Sequence, residues 1–568
     1  MSFFGRGVAR AMRNWRRVGV AALGAVLLPC CWGQGEAGPP AHILASQRGA
    51  KLYPIAGTVT DFVTGEPVLR ATVSLVDEED RETIASAETT DGGRFTLPPM
   101  PAAKYGLRVA RRGYLTSYYN EHDEFSSAIV TGEGQDTEHI PFLLKPAAVV
   151  RGTVTDDAGE PVEHAQVILM RKSRGGGLGE HLTRSISGVT DDTGGFEFWN
   201  LVPGTYLLAV KATPWYALHR PMNGASAEEA SAAAALDVAY PVTFYDGTTE
   251  EDAATPITVA AGDRPELNVG LHAVPAIHLL VHTGETEAAG RRYVDTPMLR
   301  QTVFGEDETV APGGMQPGPP GSGTVEMEGL APGHYSVMQG NPPRITEMDA
   351  SGSGSQAVDT ANGEPTVVVD VKAQMTDGSA LPQPLNLSLT AAGSVQKEIA
   401  AGMAGPGHLR FDSVPAGTWT LVARVSNLAL AVVGLHYGTG TLAGSRFAVK
   451  TQPLSLTAVL AQGVTRVNGF ALKDGKAMAG AMIVLVPKDP AANWAMFRRD
   501  QSDSDGSFAL RDVVPGQYTA VAIEDGWELD WARAEVIGRY LLRGTAVTVS
   551  SQSGKLVQLA APVTVQPR

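Results

Sequence analysis

The sequence predicts an all-β protein, a tandem array of about five β-sandwich modules, and three observations lead there. An apolar residue is followed ten positions later by an aromatic one in Phe95…Tyr105, Phe196…Tyr206, Val325…Tyr335, Leu409…Trp419 and Phe508…Tyr518. On either side of the second pair the chain alternates with period two: Phe196 and Phe198 come before, and Tyr206, Leu208 and Val210 after. Such alternation marks half-buried strands. The five aromatics lie 101, 129, 84 and 99 residues apart, and a period near ~100 means whole domains in series rather than a solenoid. The composition agrees. Gly 64 and Pro 37 suit short strands joined by tight turns, and 568 residues are too many for one core.

Residues 1–33 read as a secretory signal peptide. Arg6, Arg10, Arg13, Arg16 and Arg17 precede an apolar run from Val18 to Leu28, and cleavage is expected before Gln34. That run is too short to span a bilayer, so no transmembrane helix is expected in the mature chain. Cys30 and Cys31 are the only cysteines, so cleavage excludes disulfides and thiolate metal sites. Removing five positive charges from a net −15 leaves −15 − 5 = −20, a surface that resists nucleic acid. The protein is therefore expected to be exported, to the periplasm, the outer surface or the medium.

After a linker at 34–50, the modules are expected at 51–146, 147–275, 276–347, 366–462 and 463–568, with a second linker at 348–365. The small polar stretch ASGSGSQAVDTANGEP (350–365) suggests that second linker. Front halves such as IAGTVTDFVTGEPVLRATVSLV (55–76) and VRGTVTDDAGEPVEHAQVILM (150–170) read as strand, turn, strand. The aromatic hairpins carry LVPGTY, LAPGHY, VVPGQY and VPAGTW, with Gly204, Gly333, Gly417 and Gly516 two places before the aromatic. Pro-Gly predicts a type II turn with glycine at positive φ. A polar excursion and a short strand follow, as at 115–134, 241–262 and 539–550. The Ala- and Glu-rich stretch 223–240 is expected to be a helical insertion in the second module, centred on 226–236.

GTVTD-x-x-G-E-P-V followed by T-D-D-x-G-x-F…VPG-x-Y resembles the carboxypeptidase regulatory-like domain family. The resemblance implies a Greek-key, transthyretin-like sandwich of roughly seven strands, related to carbohydrate-binding-like and adhesin modules. It covers most of 51–568. Modules one, two and five carry it best, and it says little about function, because the domain accompanies many different proteins.

No catalytic constellation emerges, and no cofactor is expected. A metallocarboxypeptidase would need His-x-x-Glu and a distant histidine around zinc. The one such pair, His282-Thr283-Gly284-Glu285, falls at a strand end with no catalytic domain around it. There is no H-E-x-x-H, G-x-S-x-G or Walker loop, so the chain reads as non-enzymatic. Related adhesin modules join Lys to Asn, but Val149-Val150-Arg151-Gly152 offers no lysine for that bond. The turn TDDTGGF (190–196) looks acidic enough for calcium, yet its Asp and Gly are what tight turns select. Asp503 and Asp505, with Asp512 downstream, form the one weak calcium candidate.

Ligand candidates are therefore the aromatics outside the repeat: Tyr118, Tyr119, Trp215, Tyr216, Trp494, Trp527 and Trp531. Such rings stack on sugars when exposed and cap module cores when buried. The expected role is interaction, with a polysaccharide or a surface protein as partner. A structural spacer of the cell envelope, and an accessory subunit of a separate peptidase, are the alternatives.

Overall fold

The computed structural model describes residues 51–568 apart from 79–80, 175–179, 220–225, 283–284, 289–290, 295, 320–321, 392–397, 427, 439 and 551–553. The expected signal peptide and first linker lie outside the described residues. Among the described residues the fold is all-β, with short α-helices only at Ala227–Ala235 and Ala534–Leu541 besides 3-10 turns.

One topology recurs along the chain. An opening strand pairs antiparallel with the strand ahead of the repeated aromatic, and parallel with the closing strand of its span. Leu52–Asp61 lies between Arg94–Pro101 and Ile140–Leu144. Ala148–Thr155 lies between Gly195–Leu201 and Val269–Gly270, and Ile277–His282 between Thr324–Leu330 and Gly354–Val358. Glu364–Met375 lies between His408–Pro415 and Leu454–Gln462. Thr465–Lys473 repeats the arrangement with Ser507–Val513 and Leu556–Gln558. The strand carrying the aromatic joins the facing sheet instead, beside Thr72–Asp77, Gln166–Arg174, Met298–Val303, Asn386–Ala391 or Met482–Pro487. Each pair of sheets encloses its own apolar core, as alternation requires of a sandwich.

The expected hairpin is thus an arch, since its two strands do not pair and in the first four spans sit in different sheets; in the fifth, Val563–Gln566 joins the two into one. Gly204, Gly333 and Gly516 are not at positive φ, and Gly417 has φ 152°, so the type II turn is not formed. The aromatic explains the crossing. Tyr105, Tyr206, Tyr335 and Tyr518 donate their hydroxyls to the carbonyls of Pro101, Val202, Ala331 and Val514 at 3.2, 2.5, 2.7 and 2.6 Å. Trp419 Nε1 does the same to Pro415 at 3.0 Å. A buried ring therefore satisfies a carbonyl freed where the chain leaves one sheet for the other. Tyr518→Phe is expected to cost the chain about 1–2 kcal/mol in chemical denaturation; no loss would show that the bond contributes nothing.

The acidic turn of the second module is scaffolding. Asp191 Oδ1 accepts from Thr193 N, Thr193 Oγ1 and Gly195 N, at 2.9, 2.7 and 2.8 Å. Gly194, at φ 70°, approaches the opening strand so closely that a Cβ would lie 2.4 Å from the Val154 carbonyl. Only glycine tolerates both conditions.

Three elements differ from expectation or extend it. The stretch expected as a linker carries the strand Gly354–Val358, and Arg344 and Ile345 pair with Pro365 and Glu364, so one sheet continues from the third span into the fourth. Its Gly and Ser content suits a flexible linker equally well, but alternate residues there find ladder partners. The insertion helix forms at Ala227–Ala235, where Ser226 and Glu229 make a reciprocal capping box. Ala534–Leu541 is a helix the alternation did not suggest. It buries Ile537 and Tyr540 on a second apolar cluster outside the fifth sandwich.

Candidate binding cleft

The first and fifth modules meet edge to edge. Ser504 N donates to the Ala128 carbonyl at 3.0 Å, and Val130 N to Ser504 Oγ at 2.9 Å. Asp503 accepts from Ala128 N at 2.8 Å and pairs with Lys104 at 2.5 Å. Ser127 Oγ donates to the Ser502 carbonyl. Gln501, 1% exposed, donates through Nε2 to the Asn120 carbonyl and to Ser127 Oγ. Its Oε1 then faces His122 Nδ1 at 3.0 Å, which makes that nitrogen the donor. Arg511 reaches Glu78, and Arg499 reaches Asp123 and Glu124. Trp527 stacks on His122 with ring centroids 5.1 Å apart and donates Nε1 to the Gly480 carbonyl.

This contact assigns the acidic turn of the fifth module. Asp503 is engaged by Lys104 and Ala128. Asp505 turns inward to accept from Ser507 N at 2.9 Å. Asp512 lies at the other end of the strand Ser507–Val513, roughly 17 Å along it at about 3.4 Å per residue. The three calcium candidates therefore do not converge on one point.

Docking also shapes a titration. Asp500 is half-buried, but its Oδ2 accepts from Ala509 N at 2.6 Å and its carboxyl is enclosed. Burial raises its pKa to about 7; the Ala509 N–H opposes this, and the charges of Asp503 and Glu78 add to it. Burial likewise raises Asp503 and Glu78. A carboxyl raised on folding stabilises the fold below its unfolded pKa, and that contribution disappears as pH climbs through the folded value. Between pH 5 and 8 the unfolding free energy should therefore fall, for Asp500 by up to about 1.4 kcal/mol per pH unit. A midpoint that rises over this range would refute the assignment.

Where the first, second and fifth modules face one another, they leave a cleft of about 1330 Å³. The segment Tyr114–Glu124 forms one wall, with Phe142 and Lys145 behind it. Arg171, Ser173, Asn200 and Thr205 come from the second module, and Arg499 and Trp527 from the fifth. Asn120 and Asp123 hold left-handed backbone, φ 55° and 52°, in the loop gripped by Gln501 and Arg499. Arg81 covers one ring face of Tyr118 at 5.0 Å. Arg171 Nε is buried without a hydrogen-bond partner at this cleft.

The seven aromatic candidates fall into three places. Tyr118, Tyr119 and Trp527 line the cleft, and Tyr119 and Trp527 at the same time pack on apolar clusters of the first and fifth modules. Trp494 and Trp531 pack on the second apolar cluster of the fifth module, where Arg499 covers Trp531 at 4.4 Å. Trp215, 84% exposed, points outward and meets Tyr216 edge to face at 5.8 Å. His282 is exposed at its strand end, and the middle of its His-x-x-Glu lies outside the described residues. Cleft residues such as Asn200, Arg171 and His122 carried no signal in the sequence, since nothing local marks three distant segments as neighbours. The same holds for His278, Glu326 and Glu328, whose ligating atoms lie within 4.8 Å of one another away from the cleft. Only the Glu-x-Glu spacing on a strand hinted that two of them share a face.

Among the described residues no helix is long and apolar enough to cross a membrane. No curated protein matches the sequence. The TIE protein of Bacillus anthracis is similar at 10% identity, covering 72% of this chain and 74% of that one, with a TM-score of 0.18. A streptococcal ancillary pilin shares 11% identity over 55% of this chain and 100% of its own, TM-score 0.20. The shaft pilin SpaA of Lactobacillus rhamnosus GG shares 12% over 40% and 98%, TM-score 0.20. Residues 54–140 and 149–272, the spans of the first two recurring topologies, match the family model of the carboxypeptidase regulatory-like domain, to which these two segments of the chain are similar.

Proposed function

We propose that this chain is an exported, non-catalytic binding protein that holds an extended polysaccharide in the cleft between its first, second and fifth modules. One observation carries the reading: three of the seven aromatics outside the repeat, Tyr118, Tyr119 and Trp527, line a single cavity with Tyr114. Its volume of about 1330 Å³ exceeds the roughly 300–1,000 Å³ of a small-molecule pocket and suits several linked sugars. Aromatic faces offer stacking to the apolar faces of pyranose rings. Asn120, Asn200, Thr205 and Ser173 offer neutral hydrogen-bonding groups for hydroxyls.

The spacer reading keeps one observation in its favour: Trp494 and Trp531 serve a core, and a continuous sheet stiffens the third and fourth spans. Titration of the chain with a panel of soluble polysaccharides, followed by tryptophan fluorescence, separates the two. Saturable binding is expected, weakened at least about tenfold, or ~1.4 kcal/mol, by Tyr118→Ala or Asn200→Ala and unchanged by Trp215→Ala. Loss on Trp215→Ala alone would move the site to the second module's outer face. No binding at millimolar saccharide would leave the spacer.

A further inference from the structure

We propose that His278, Glu326 and Glu328 bind one divalent transition-metal ion of the Zn²⁺ class, which fastens the insertion of the second module to the outer face of the third module's sheet. Glu326 and Glu328 alternate with the core residue Met327 on Thr324–Leu330, so both carboxylates leave the same face. His278 lies on the neighbouring strand Ile277–His282, at the irregularity opposite Gly329. One ligating atom from each of the three falls within 4.8 Å of the other two.

The surroundings orient the set as a metal site is oriented. Asp237, from the end of the insertion, accepts His278 Nε2 through Oδ2 at 2.8 Å. Its Oδ1 meets His219 Nδ1 at 3.0 Å. A carboxylate that holds one ring nitrogen as N–H leaves the other, Nδ1, with its lone pair free to ligate. Gln316 Nε2 donates to Glu326 Oε2 at 2.9 Å and also to Glu328 Oε1, which keeps the two carboxylates side by side. Space is reserved as well. A Cβ on Gly314 would lie 2.5 Å from Glu328 Oε2, and one on Gly329, at φ 72°, would strike the His219 ring.

His278 Nδ1 stands 3.2 Å from Glu326 Oε1. That separation is close to the edge, about 3.3 Å, of a tetrahedron with metal–ligand bonds near 2.0–2.1 Å. The imidazole–carboxylate donor set favours zinc, cobalt or nickel over calcium, which prefers six or more oxygens. Three protein ligands leave the remaining position to water.

The test uses the tag-free full chain after chelator treatment. Calorimetric titration with Zn²⁺ should show one site per chain, Co²⁺ should give the visible absorption of a tetrahedral centre, and Zn²⁺ should raise the unfolding midpoint. Glu326→Gln, which preserves shape, should remove the Co²⁺ spectrum and weaken Zn²⁺ at least about tenfold. Asp237→Asn, a positioning change, should weaken Zn²⁺ by roughly 10- to 100-fold while keeping one site. No uptake by the folded wild-type chain at micromolar metal would overturn the proposal, and so would uptake that Glu326→Gln leaves unchanged.

Discussion

Asp503→Ala is expected to release the first module from the fifth and to lower the stability of the docked chain by about 2–3 kcal/mol. Asp503 is 8% exposed and serves two partners at once, the Lys104 ammonium and the Ala128 N–H. Its removal strands a cation that is only partly open to water, together with a backbone donor at the contact, and stranded groups cost more than a surface pair contributes. The figure is set below that of a fully buried pair because the Lys104 side chain keeps 36% exposure. Limited proteolysis should then cut the 118–130 segment, which the wild-type chain protects. Equal protection in the variant would mean that the remaining bonds from Gln501, Ser502 and Ser504 hold the contact alone.

Trp527→Ala should act on stability and on binding together. The ring stacks on His122, tilts against Phe125 at 5.8 Å, and packs on the apolar cluster formed by Met482, Val484 and Ile537. Truncating a large aromatic in such a position costs about 3 kcal/mol, at the low end for tryptophan because the residue is half-buried. One wall of the cleft goes with it. Saccharide affinity should therefore fall further than in Tyr118→Ala, and the unfolding midpoint should fall as well, which Tyr118→Ala is expected to spare. An unchanged midpoint would place Trp527 outside the packing described.

These two residues show where sequence reading stops. The alternation around Phe196 and Tyr206, and the recurrence of an aromatic near every hundredth residue, made the sandwiches legible because burial imposes period two on strands wherever they occur. The helix at Ala227–Ala235 was legible through its alanines. The arch was not, because a strand that pairs with its sequence neighbour and one that crosses to the opposite sheet alternate identically. Gly204 and Gly516 looked like turn glycines for the same reason. Asp503 was visible only as part of an acidic turn, since its partner Lys104 lies 399 positions away. Tyr118, Tyr119 and Trp527 were singled out as rings outside the repeat, yet nothing in the sequence showed that they would meet at one cleft, or that Trp527 would share an apolar cluster with Trp494 and Trp531.

The claim on which the cleft depends is that the first module docks on the fifth. Ala128 and Ser504 share a backbone hydrogen bond, which places their Cα atoms within the roughly 4.4–6.8 Å that a disulfide spans. The measurement is therefore intramolecular crosslinking of Ala128→Cys with Ser504→Cys, in a chain whose Cys30 and Cys31 are replaced by serine. Near-complete crosslinking under mild oxidant in the folded state, absent in denaturant, is the result this account predicts. Folded chains that fail to crosslink would show that the two modules stand apart, and the polysaccharide cleft would fall with their contact.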